Sequence, residues 1–142
     1  MAEEPRAGIA HLDLAVGSIA RSRPFYEGLL GPLGYTRVRE IDGERGETIC
    51  YLSIPGRFEG SLGLREATSS AHPTPYERYA VGVHHVCFNV SSRAVVDERH
   101  AWLVREGARI ESAPREYDYT PGYYAVFFYD PDGIKLELLH RS

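Results

Sequence analysis

Long apolar runs are missing from this chain, and no stretch approaches the roughly 20 residues that a helix needs to cross a bilayer. The start, Met-Ala-Glu-Glu-Pro-Arg, lacks the basic-then-apolar profile of a secretion signal, so the expected location is the cytoplasm. Basic charge is in deficit. Lys and Arg number 16 against 20 Asp and Glu, a formal net charge of -4, which offers no basic patch for nucleic acid. Cysteine is confined to Cys50 and Cys87, both in apolar strand-like runs. Two cysteines make no disulfide framework, and buried thiols are the expectation.

What is present is an internal repeat. Val83-His84-His85-Val86-Cys87-Phe88-Asn89-Val90 is an apolar strand with a histidine near its start, and Ile9-Ala10-His11-Leu12-Asp13-Leu14-Ala15-Val16 has the same pattern 74 positions earlier. Self-similarity of this kind marks a duplicated unit. Strand side chains alternate between faces. Leu12, Leu14 and Val16 therefore share one apolar face, as do Val86, Phe88 and Val90. His11 and Asp13 take the opposite face in the first copy, and His85, Cys87 and Asn89 take it in the second. Each strand has one greasy side and one chemically equipped side.

A chain of 142 residues is one compact domain by size. Each half of a duplication this small needs the other to complete a core. After the first strand, Ser18 is placed to cap a helix whose apolar residues Ile19, Phe25, Tyr26, Leu29 and Leu30 recur at helical spacing. Pro24 is awkward inside it, and Gly31-Pro32 and Gly34 end it. Strand-like runs follow at about 35–41, 47–54 and 60–66, separated by Asp42-Gly43 and Pro55-Gly56 turns. Residues 67–80 lack periodicity and read as a linker. The second unit repeats the order with a strand at 83–90, a helix from Ser91 or Ser92 to Glu106 stopped by Gly107, and strands at about 109–115, 123–129 and 133–140. The predicted class is α+β, with a βαβββ module over 8–66, a linker over 67–80 and a second module over 81–141.

The last strand, Ile134-Lys135-Leu136-Glu137-Leu138-Leu139-His140, sets Glu137 among apolar residues. A buried carboxylate needs a cation or hydrogen bonds. Leu136 and Leu138 point to the core, so Glu137 points to the face that carries His11 and His85. Two imidazoles and one carboxylate suit iron, manganese, zinc or nickel and leave coordination positions open for substrate or oxygen. A structural pairing of Glu137 with Lys135 or an arginine is the competing reading, weighed against the symmetry of the two histidines. His84, His100 and His140 read as surface or helix-side residues, and His72 lies in the linker.

These segments, with Asp130-Pro131-Asp132-Gly133 leading into the last strand, resemble the vicinal oxygen chelate superfamily over roughly residues 8–140. That superfamily groups glyoxalase I, extradiol dioxygenases, methylmalonyl-CoA epimerase, and fosfomycin- and bleomycin-resistance proteins. The resemblance implies paired βαβββ modules whose curved mixed sheets form a metal-holding cup, often in a homodimer. It implies His11, His85 and Glu137 as ligands of a divalent metal ion, with ferrous iron or manganese favoured and zinc or nickel as alternatives. Glyoxalase I and the epimerases have a fourth protein ligand, and the 74-position offset puts it at Gly63, which has no side chain to give. Glu66, nearby, shares parity with Leu62 and Leu64 and faces away.

The vacancy resembles the three-ligand sites of extradiol dioxygenases and fosfomycin-resistance transferases. The expected function is therefore a metal-dependent, extradiol-dioxygenase-like enzyme acting on a small oxygen-chelating molecule. A lactoylglutathione-lyase-like lyase or isomerase, a thiol transferase and a metal-free binding protein of the bleomycin-resistance kind are the alternatives. Tyr117-Asp118-Tyr119-Thr120-Pro121-Gly122-Tyr123-Tyr124 precedes a strand of the site and offers tyrosines as pocket lining or as a packed structural loop.

Overall fold

The repeat written in the sequence becomes a repeat of strand order. The computed structural model describes residues 3–4, 6–72 and 74–142. Met1, Ala2 and Pro5, and Pro73 of the expected linker, lie outside the described residues. The chain divides into two compact units, Met1–Thr68 and Ser69–Ser142.

The first unit holds β1 (His11–Val16), α1 (Ile19–Leu30), β2 (Arg37–Asp42), β3 (Thr48–Ile54) and β4 (Arg57–Glu66), with a 3₁₀ turn over Gly31–Leu33. The sheet order is β1-β4-β3-β2, with β1 parallel to β4 and the other pairs antiparallel. The second unit holds β5 (Val86–Asn89), α2 (Arg93–Arg105), β6 (Ile110–Tyr117), β7 (Tyr123–Tyr129) and β8 (Lys135–Arg141). Its order, β5-β8-β7-β6, is the same order four strands on, again with one parallel pair. These are two tandem βαβββ modules with mixed sheets, an α+β fold.

Local chemistry accounts for the helix starts. Ser18 Oγ accepts from Arg21 N at 3.3 Å and Ser92 Oγ from Val95 N at 3.2 Å, so each helix begins on a serine cap. Glu66 Oε2 accepts from Ile19 N at 3.1 Å and places a carboxylate at the positive end of α1. Pro24 is accommodated inside α1, which runs through it to Leu30. Each helix covers one sheet face, α1 on β3 and β4, α2 on β6, β7 and β8. Leu14, Val16, Leu29, Cys50, Leu52, Leu62 and Leu64 fill the first core, and Val96, Leu103, Val126, Phe128, Leu136 and Leu138 the second.

Alternation then leaves the opposite face of each sheet for chemistry. Three expectations need correction. β4 starts at Arg57 rather than near 60, because Arg57 already pairs with Ile54 across the Pro55-Gly56 turn. β5 starts at Val86, where its ladder to Leu136 begins, so His85 stands one residue before the strand. Cys50 is buried as expected, but Cys87 is exposed, since its parity puts it on the face away from α2. In the expected linker over 67–80 none of the described residues lies in a strand or helix, and it packs on the second unit through Tyr76 N to Asp132 O at 3.1 Å and Arg78 to Glu111 at 2.9 Å.

Candidate metal centre

In the first module the ladder pairs His11 with Ser61 and Asp13 with Gly63. Asp13 is the hub of this face. Its Oδ1 lies 2.9 Å from His11 Nδ1, and its Oδ2 accepts from Tyr51 Oη at 2.9 Å and from Arg65 Nε at 2.7 Å. Burial pushes the Asp13 carboxyl up, but the hydrogen bonds from Arg65, His11 and Tyr51 outweigh it and hold it below the usual range. An ionised carboxylate has no hydrogen to give, so Nδ1 of His11 carries the hydrogen, which in the neutral imidazole leaves the lone pair on Nε2. The His11 ring is flanked by Tyr51 at 5.4 Å and Phe58 at 5.7 Å between centroids.

The same register in the second module pairs Cys87 with Glu137, the counterpart of Asp13 with Gly63. Glu137 is only 1% exposed. A carboxylate so buried must be compensated, and two groups do it. His85 Nε2 lies 3.2 Å from Oε1, and the Tyr123 hydroxyl donates to Oε2. The Tyr123 phenol is pushed up by burial first and by Glu137 second, which keeps it protonated as a donor. Although Cys87 is exposed as a residue, its thiol loses part of its water beside Glu137 and is pushed up to about 12 by that loss and then by the Glu137 charge, so it stays a thiol.

Lys135 does not pair with Glu137. Its ammonium lies 2.6 Å from Glu111 Oε2, so the competing pairing within β8 is not made. The Asp130 turn sets where β8 begins: Asp130 Oδ1 accepts from Asp132 N and Ile134 N, both at 2.8 Å, with Gly133 at φ +87°.

His84, read from the sequence as a surface residue, lies against the candidate ligand. The Nδ1 atoms of His84 and His85 are 2.8 Å apart, so one must donate and the other accept. The His84 imidazole is pushed down, first by partial loss of water and then by the neighbouring His85, Lys135 and Arg78 side chains. A cavity of about 440 Å³ opens on this face, walled by His85, Tyr117, Tyr119, Tyr123, Phe127 and Glu137. Tyr117 and Tyr119 stack at 5.3 Å, and Tyr123 meets Tyr119 edge-on at 5.2 Å. The tyrosine-rich segment therefore lines a pocket.

Each predicted ligand thus has a partner within its own module: His11 with Asp13, and His85 with Glu137. Among the described residues no group of three or more His, Cys, Asp or Glu side chains is arranged to hold an ion. The sequence reading passed over Asp13, His84 and Tyr123 as individual site residues. Parity was the available signal for Asp13, since it shares the face of His11 two residues on.

The fold and these faces define a duplicated βαβββ protein with a histidine on the first strand of one module and a His–Glu pair in the other. The chain belongs to the Glyoxalase/Bleomycin resistance protein/Dioxygenase superfamily, whose family model matches residues 8–138. It is similar to the uncharacterized protein YqjT of Bacillus subtilis (strain 168), 31% identical over 133 residues that cover 93% of this chain and 98% of that one. Among solved structures it resembles a glyoxylase/bleomycin resistance protein/dioxygenase domain from Frankia sp. EAN1pec. The TM-score is 0.77 at 22% identity, covering 97% of this chain and 100% of the other. It also resembles the genomically encoded fosfomycin resistance protein FosX of Listeria monocytogenes, with TM-score 0.65 at 20% identity and 96% and 94% of the two chains covered. Both likenesses are of fold.

Proposed function

We propose that this chain is a metal-dependent enzyme acting on a small molecule with adjacent oxygens, and that His11, His85 and Glu137 hold one divalent ion. Ferrous iron or manganese is the first choice, zinc or nickel the next.

The donor types suit such an ion. Two imidazoles and a carboxylate are a donor set for first-row metals, and the His85 nitrogen and Glu137 oxygen already stand 3.2 Å apart. Asp13 engages the Nδ1 atom of His11, the kind of outer partner that fixes a ligating histidine.

The observation that carries the reading is at Gly63. A Cβ there would lie 2.4 Å from Asp13 Oδ1 and 2.7 Å from Tyr51 Cε1. The strand position from which a fourth ligand could come is therefore filled by neighbouring side chains, which supports a set of three ligands. When bound in such a set, ferrous iron supplies Lewis acidity toward adjacent substrate oxygens and a one-electron centre for dioxygen. The protein's own residues bind and orient. Tyr123 donates to Glu137 and fixes its carboxylate, and Tyr117, Tyr119 and Phe127 provide aromatic walls to the pocket.

On this basis the reaction is oxygen-dependent and extradiol-dioxygenase-like. The test is to load purified protein anaerobically with ferrous iron, offer a panel of catechols and follow oxygen uptake. Uptake that disappears in His85→Ala is expected. Absence of uptake, together with turnover of a glutathione hemithioacetal or of fosfomycin with a thiol, overturns the oxygenase reading and leaves the metal site standing.

A further inference from the structure

The chemical face of the first module extends beyond His11 to a second feature. Strand pairing carries a row from Asp13 through Gly63 and Tyr51 to Arg39 on the outer strand β2. At that edge lies a cavity of about 250 Å³. Arg37 and Arg39 enter it from alternate positions of β2, and Arg57 from the start of β4. Tyr51, Ile54 and Phe58 supply an apolar lining.

Two other arginines of this module are ion-paired, Arg23 to Glu27 and Glu40, and Arg65 to Asp13, Glu44 and Glu47. Among the described residues no carboxylate pairs with Arg37, Arg39 or Arg57. Three guanidiniums converge on one cavity without a counter-charge, in a chain whose net charge is -4. Like charges lining one cavity favour an anion between them, and planar guanidiniums are the preferred forks for carboxylate and phosphate oxygens.

We infer that this cavity binds an anionic group, a carboxylate, phosphate or phosphonate, carried on a partly apolar small molecule. Tyr51 and Phe58 line the cavity and also pack against the His11 ring. A molecule held there by its charge presents its uncharged end along those two rings toward His11. The inference rests on the proposed function only in assigning that anion to the substrate of the same site; the charge cluster itself does not depend on a metal.

The experiment uses chelator-treated full-length protein, so that binding at the arginines is read without an ion. Phenylphosphonate and benzoate are titrated by calorimetry at low and moderate salt, with benzamide as the uncharged comparison. The expected result is one-to-one binding of an anion that weakens with salt, and no binding of benzamide. Arg39→Gln and Arg57→Gln should each weaken the anion about tenfold, while Arg105→Gln on α2 leaves it unchanged. Circular dichroism of the variants checks that β2, an edge strand, is retained. Equal affinity in Arg39→Gln and the parent, or binding of benzamide as tight as benzoate, overturns the inference. So does a lack of anion binding by the folded parent protein. Metal titration of the same variants separates the two claims: intact metal binding with lost anion binding is expected, and lost metal binding in Arg39→Gln counts against a separate anion site.

Discussion

Asp13 and Gly63 face each other across β1 and β4, and the Asp13 carboxylate occupies the space that a side chain at 63 would need. The absence of a side chain at position 63 is therefore built into the packing of the sheet. Asp13 in turn holds His11 at 2.9 Å.

Gly63→Ala should destabilise the protein by about 1–3 kcal/mol, because Asp13 and Tyr51 must move to admit the methyl group. In Asp13→Ala the space opens, so the double variant should lose less than the sum of the two single losses. Urea unfolding of the four proteins measures this. A neutral Gly63→Ala would show that the slot is not filled.

Metal stoichiometry separates the proposed ligands from their neighbours. His11→Ala, His85→Ala and Glu137→Ala should each abolish one-to-one metal binding. Glu66→Ala should leave it unchanged and cost about 1 kcal/mol of stability, since Glu66 accepts from Ile19 N at the start of α1. Elemental analysis after equilibrium dialysis reads the first effect and thermal unfolding the second. Metal loss in Glu66→Ala would restore a four-ligand site and remove the basis for the oxygenase reading.

Asp13→Ala should weaken metal binding by about 10- to 100-fold, as removal of an outer partner of a ligating histidine does. Long-range proton–nitrogen NMR of the metal-free protein gives an independent readout. His11 should be the Nδ1–H tautomer in the parent and a mixture in the variant. The same tautomer in both would mean that Asp13 does not orient the ring.

Glu111 provides a pH-dependent prediction in the second module. Burial pushes its carboxyl up, yet Lys135, Tyr129 and Arg78 outweigh that and bring it down from 4.5 to about 2. A carboxyl depressed in the folded state adds stability above its unfolded value, and that stability fades as the pH falls from 4.5 toward 2. The group is part-exposed, so after screening the contribution is about 1–2 kcal/mol. Glu111→Gln should thus be less stable than the parent at pH 7, with the gap closing on acidification. A gap that stays constant down to the acid limit would assign the loss to packing instead.

Sequence alone carried the repeat, because a 74-position offset relates two strands of the same alternating pattern. It carried the helix starts at Ser18 and Ser92, since a cap is a local hydrogen bond within one turn. It carried the parity of Glu137 against Leu136 and Leu138, which a period of two dictates. It also aligned Gly63 with Glu137, and the matching ladder registers agree.

Only the tertiary structure decided which partner each charged group takes. Glu137 could have met Lys135 two residues away, but strand pairing carries Lys135 to Glu111 on β6 and brings His85 and Tyr123 to Glu137. Pattern also could not reveal that Asp13 fills the place beside Gly63, or that Arg37, Arg39 and Arg57 converge on one cavity. Side-chain periodicity is set by each strand's own backbone, whereas these contacts join residues far apart in sequence, fixed by sheet register and by competition for the same buried charges.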